Sequence, residues 1–145
     1  MRFWNERVIG TCEKMSMPMA RFAIFVIYAW FGALKVVGLS PADPLVEALL
    51  QRTMPFMSFD VFIVLFGLFE VVIGILFLFK KADKIAIPLF VLHMITTSAL
   101  LVMLPQETWS GVLVPTLEGQ YVIKNIALVA LVVSLASCLP ARKES

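Results

Sequence analysis

The sequence predicts an all-α integral membrane protein, a bundle of four spanning helices forming a single domain over residues 1–145. Three observations carry this. Of 145 residues, 61% are hydrophobic and only 15% are charged, where soluble domains average roughly 45–50% and about 25%. The mean hydropathy is +0.95. The apolar residues also gather into four runs, at about 19–39, 61–79, 85–104 and 121–139. Each is about 20 residues long, which at 1.5 Å per residue matches the ~30 Å hydrocarbon core of a bilayer. Helices satisfy their own backbone polar groups in lipid, and the short alternating strands of a membrane barrel are missing. The composition excludes disordered, collagen-like and disulfide-scaffold classes. A net charge of +2, with basic residues lying between the runs, excludes a nucleic-acid module.

Taken in order, Phe3, Trp4, Val8, Cys12 and Met15 have roughly helical spacing. They predict a helix in the cytoplasmic interface that runs into span one. That span is expected to be retained rather than cleaved as a signal peptide, because Glu6 and Glu13 precede it and Lys35 sits inside it. Residues 40–58 form a first external loop. In it, Asp43-Pro44 is an N-cap and first-turn signal. Leu45, Val46, Leu49 and Leu50 then share one face, with Glu47 and Arg52 off it, which predicts a short interfacial helix. Lys80, Lys81 and Lys84 mark a tight turn that makes spans two and three a hairpin. Residues 105–119 form a second external loop, with Trp109 placed at the headgroups.

The cations set the expected orientation. With four spans, Arg2, Arg7, Lys14, Arg21, Lys80, Lys81, Lys84, Arg142 and Lys143 fall on one side, and Arg52 alone falls on the other. Positive charge concentrates on the cytoplasmic side, so both termini are expected there. Cys12 and Cys138 are then expected to be cytoplasmic and reduced. No metal site is expected, since neither CxxC nor zinc spacing occurs and His93 is the sole histidine.

Each span carries a polar residue that is costly in lipid. Span one has Lys35, with Tyr28, Gly32 and Gly38 on its face. Span two has Glu70 between Gly67 and Gly74, and small residues on one face mark a helix contact. Span three has His93, followed one turn on by Thr96 and Thr97. Span four has Lys124 and Asn125, preceded by Gln120 and Tyr121. Convergence of these faces predicts an outward-opening polar pocket of Tyr28, Lys35, Glu70, His93, Tyr121, Lys124 and Asn125. Two lysines against one carboxylate would leave surplus positive charge, which suits an anion or another polar ligand. Residues 31–37 also echo residues 66–72, with Lys35 and Glu70 in corresponding places.

Three segments carry a family resemblance: Phe31-Gly32-Ala33-Leu34-Lys35; Phe66-Gly67-Leu68-Phe69-Glu70-Val71-Val72-Ile73-Gly74; and Glu118-Gly119-Gln120-Tyr121-Val122-Ile123-Lys124-Asn125. On these the chain resembles the DoxX-like superfamily of four-helix membrane proteins, most closely its YkgB (RclC) branch. The resemblance implies an inner-membrane protein and a role in resistance to oxidants or reactive chlorine. Relatives include quinone-linked oxidation subunits, partners of oxidative-stress complexes and a receptor-assembly factor. It assigns no family-wide catalytic residue.

Three functions therefore compete. The first is a stress or redox component that binds an anion or quinone, with a membrane redox partner or a second copy. The second is a small transporter or channel subunit, and the third a non-catalytic assembly factor. An enzyme acting alone is the weaker expectation, and no cofactor beyond a quinone is suggested. A dry, fully paired cluster would favour the third reading, and an unplugged polar path the second.

Overall fold

The computed structural model describes residues 2–139, with side chains from residue 6 onward. The side chains of Arg2, Phe3 and Trp4, and all of Arg142 and Lys143, lie outside the described residues. Four helical stretches are long and apolar enough to cross a membrane: Glu6–Val36, Phe59–Phe77, Lys80–Met103 and Leu117–Ser137. Their outward sides are large apolar side chains such as Phe22, Trp30, Leu65, Ile95 and Val133. This is a multi-pass membrane protein whose outer surface is made for lipid.

Helix α1 runs unbroken over Arg2–Val36, 35 residues, or about 52 Å. The expected surface helix and span one are thus a single element. Pro18 lies inside it; it removes one backbone bond but leaves the helical path intact. The helix stops at Gly38, which takes φ +68°. The Gly38 amide donates to the Lys35 carbonyl at 3.2 Å and the Leu39 amide to the Leu34 carbonyl at 2.9 Å. That pair of bonds is the Schellman ending, which glycine makes at least cost.

Helix α2, Asp43–Thr53, follows as expected and buries Val46 and Leu50. Asp43 is its first residue, not its cap; the Ser40 hydroxyl instead accepts from the Ala42 amide. Helix α3 is Phe59–Phe77, and a turn of 3-10 helix at Lys80–Ala82 leads into α4, Asp83–Ser98. Span three continues as α5, Leu100–Met103, after a one-residue break at Ala99. Span four is α7, Leu117–Ile123, and α8, Asn125–Ser137, on either side of Lys124.

The second loop folds more tightly than its composition suggests. After a single turn, α6 (Pro105–Thr108), strands β1 (Trp109–Gly111) and β2 (Val114–Pro115) pair antiparallel. Trp109, expected at the headgroups, is half-buried and donates its indole N–H to the Leu101 carbonyl at 3.0 Å. Thr116 caps α7 by accepting from the Gly119 amide. A side chain at Gly119 would run into the Thr108 carbonyl, so this loop closes only around glycine.

Two hydrophobic cores result. The larger joins α1, α3, α4 and α8 through Ile24, Ile73, Phe77, Ala86, Phe90, Val132 and Leu135. The smaller, at the Lys35 end, joins α2, α5 and α7 through Leu100, Leu104 and Val122, with Leu45, Ala48 and Leu49 against them. The closest approach is between α1 and α3. A Cβ on Gly32 would sit 2.5 Å from the Gly67 carbonyl, and one on Gly67 would sit 2.6 Å from the Gly32 carbonyl. Gly32 faces Glu70 and Val71 while Gly67 faces Lys35 and Val36. The sequence echo of residues 31–37 and 66–72 is therefore realised as a local two-fold crossing.

Candidate functional site

The α1–α3 crossing brings the polar residues together. With 3.6 residues per turn, positions seven apart share a helix face, so Arg21, Tyr28 and Lys35 form one stripe on α1. Gly32 and Gly67 remove side chains between the two helices, and Lys35 meets Glu70 there. The Lys35 ammonium donates to Glu70 Oε2 at 2.7 Å. Glu70 Oε1 lies 2.8 Å from His93 Nε2, and His93 Nδ1 lies 3.0 Å from the Tyr28 hydroxyl. The four side chains form one unbroken hydrogen-bonded chain, Tyr28–His93–Glu70–Lys35, across α1, α3 and α4.

The chain of bonds is enclosed. Lys35, Glu70, His93 and Tyr28 expose 6%, 6%, 5% and 3% of their surface, where the sequence suggested a pocket open to the outside. The Phe66 ring stacks on His93 at 5.3 Å between centroids, and Phe90 packs on Tyr28 at 5.7 Å. With Glu70 ionised, each carboxylate oxygen accepts one bond. His93 is then assigned its proton on Nε2, facing Glu70, and its Nδ1 accepts the Tyr28 O–H. In that state one cation faces one anion and the cluster is neutral. Protonated His93 would donate from Nδ1 instead, and the Tyr28 hydroxyl would turn to accept.

Lys124 does not join. It is exposed, with its ammonium 3.7 Å from the centroid of the Tyr121 ring, and Tyr121 is itself 53% exposed. The cause is helical phase. Val122 is the buried residue of this turn, and a position two residues on points about 200° away from it. Gln120 and Tyr121, the polar neighbours that suggested an inward face, share the exposed side. Asn125 is half-buried and lies outside the bonded chain. The expected surplus of positive charge is absent from the cluster. Thr96 and Thr97 bond back to the Leu92 and His93 carbonyls rather than to the chain.

A second buried ion pair went unread in the sequence. Arg21 donates to both carboxylate oxygens of Asp83, at 2.7 and 2.6 Å, and to the Phe77 carbonyl at 3.0 Å. Asp83 exposes 1% of its surface. It clasps α1 to the start of α4 at the far end of the bundle. The seven-residue spacing of Arg21, Tyr28 and Lys35 was the available signal, with Asp83 the one acid in a basic turn. Between this clasp and Tyr28 lies solid apolar packing of Ile24, Ile73, Phe77, Ala86 and Phe90. Among the described residues no three His, Cys, Asp or Glu side chains come together to hold a metal. An apolar groove of about 370 Å³ runs along α1 between Phe25, Trp30 and Val37, lined by no charged residue.

Compared with protein-family models, curated proteins and solved structures, the chain finds no match.

Proposed function

We propose that this is a DoxX-like protein of the bacterial inner membrane, with both termini cytoplasmic, that serves resistance to oxidants or reactive chlorine. In this reading the Tyr28–His93–Glu70–Lys35 chain is its working site. The supporting observation is the continuity of that chain inside an apolar bundle. Donors and acceptors alternate along it, so a proton taken up at His93 Nδ1 leaves the bond to Glu70 intact. The Lys35 ammonium has three N–H donors and one protein acceptor, Glu70. Its other donors suit the oxygen of a small anion or of a quinone head. A ligand would therefore bind on the Lys35 side, next to a group able to exchange a proton.

A second reading has its own support. A neutral, enclosed cluster with every polar atom bonded suits a structural lock, as in a non-catalytic assembly factor. The transporter reading is less favoured, because apolar side chains fill the bundle between the two polar levels.

Hypochlorite survival separates the readings, in a strain that lacks its own copy of this chain and carries either the wild type or Lys35→Leu/Glu70→Leu. Protection by the wild type, lost in a double variant that still accumulates in the membrane, is the expected result. Full protection by the double variant would reduce the cluster to a lock. Lack of protection by the wild type would remove the oxidant-defence role.

A further inference from the structure

Among the described residues, positions 6–16 of α1 have no protein partner. The bundle ends at the level of Arg21, where the guanidinium meets Asp83 and the Phe77 carbonyl. Met17 is the first residue of α1 to touch the core, and of residues 6–16 all are exposed except half-buried Gly10. Residues 2–16 thus extend about 22 Å beyond the bundle. A helix of about 15 residues with no packing is marginal in water, and Val8, Ile9, Gly10 and Thr11 are weak helix formers. Something must cover it.

The pattern says what. Val8, Cys12, Met15 and Met19 fall on one face, at spacings of four, three and four. Val8, Met15 and Met19 are 49%, 49% and 60% exposed. Continued up the helix, the same face holds Val26, Trp30 and Val37, the side of span one turned away from the bundle. Glu6, Gly10 and Glu13 lie opposite, on the side that carries Tyr28 and Lys35 higher up, and Arg7 and Lys14 flank them. The apolar face of the extension is therefore a continuation of the lipid-facing surface of span one. Pro18 sits where the two segments meet. It cannot donate to the Lys14 carbonyl, so the helix bends there most readily.

We propose that residues 2–16 are a membrane-surface anchor, swung outward from the bundle at Pro18 and lying in the headgroup region of the adjacent leaflet. The direction follows from the geometry. An outward swing turns the face that looks at lipid up onto the membrane surface and the Glu6–Glu13 face into water. A swing beneath the bundle would do the reverse. Residues 2–16 carry three bases and two acids, a net charge of only +1, so apolar burial holds the anchor, and zwitterionic lipid suffices.

The test uses the full chain in phosphatidylcholine vesicles, with a nitroxide on native Cys12 in a Cys138→Ala background. A second sample carries the label at Glu13→Cys with Cys12→Ser and Cys138→Ala. Collision with oxygen and with a water-soluble nickel complex is read at each site. The expected result is a several-fold higher ratio of oxygen to nickel collisions at position 12 than at position 13. Pro18→Ala, which restores the missing backbone donor, is expected to lower the ratio at position 12. Equal nickel access at both positions would overturn the anchor. Spin–spin broadening at position 12 would overturn it in favour of a second copy covering the same stripe. An unchanged ratio in Pro18→Ala would remove the hinge.

Discussion

Replacing Glu70 by leucine should cost far more than replacing it together with Lys35. Glu70 is the member of the cluster that joins the cation to the imidazole, bonded to Lys35 at 2.7 Å and to His93 at 2.8 Å. Glu70→Leu leaves the Lys35 ammonium, 6% exposed, without its anion. Breaking a buried pair from one side costs about 3–5 kcal/mol. It also strands the His93 Nε2–H, worth roughly 1–3 kcal/mol for a buried donor. The ring can shed that second cost by moving its proton to Nδ1 and donating to Tyr28. Lys35→Leu/Glu70→Leu removes the charge problem and leaves only the His93 term. The double variant is therefore expected to be less destabilised than Glu70→Leu by about 3–5 kcal/mol, the one-sided penalty, since the His93 term is common to both. A total stability of order 5–15 kcal/mol makes this easy to see. Denaturation of the purified protein in mixed micelles, followed by circular dichroism, gives all three values with Lys35→Leu. Additive losses in the double variant would refute the pairing argument.

Alanine at two glycines should destabilise the protein for different reasons. At Gly67 a Cβ meets the Gly32 carbonyl at 2.6 Å, so Gly67→Ala forces the helices apart and should cost about 1–3 kcal/mol. At Gly38 nothing lies within 4 Å and only the positive φ opposes a side chain, so about 1–2 kcal/mol is expected, with the α1–α3 contact unchanged. A disulfide across the α1–α3 seam, engineered away from Gly67, should form more slowly only in Gly67→Ala. Arg21→Leu should destabilise more than Arg21→Leu/Asp83→Leu in the same micelle assay; equal losses would mean that the clasp is solvated. A membrane-impermeant thiol reagent added to intact cells should miss Cys12 and Cys138 and label Val112→Cys at the hairpin tip, and the reverse pattern would invert the proposed topology.

The spans were legible because lipid imposes one coarse demand, an apolar run of fixed length, and composition meets it directly. The Lys35–Glu70 contact was legible for a related reason. Gly67 and Gly74 mark the side of span two that another helix must touch, and Glu70 shares that side. Lys124 was misplaced because polar neighbours are a poor guide to helix phase near a membrane surface, where an exposed face is polar as well. The buried phase of that segment is set by Gly119 and Val122, whose partners Thr108 and Leu104 come from another part of the chain. The hairpin of Trp109–Gly111 and Val114–Pro115 is too short for any period to show. The run of the N-terminal helix into span one was legible in its helical spacing, and Pro18 does not stop it.

The two polar levels on α1 bear on how this protein could act. Arg21 and Lys35 stand fourteen residues apart on one face, about 21 Å along the axis, and each is bonded across to the α3–α4 hairpin. Arg21 fastens the start of α4, while Lys35 fastens the middle of α3. Tyr28, midway, reaches His93 on α4. One helix thus carries three polar attachments to a hairpin that is otherwise held by apolar packing alone. Any motion that slides α1 along that hairpin must break the Lys35, Tyr28 and Arg21 bonds together, which makes the closed state a distinct one. Withdrawing Glu70 from Lys35 would release the uppermost attachment while the Tyr28–His93 bond and the Arg21–Asp83 clasp hold. A ligand that replaced Glu70 as the partner of Lys35 would therefore open the bundle only at the Lys35 end, with Ile24, Phe77 and Phe90 still filling it below.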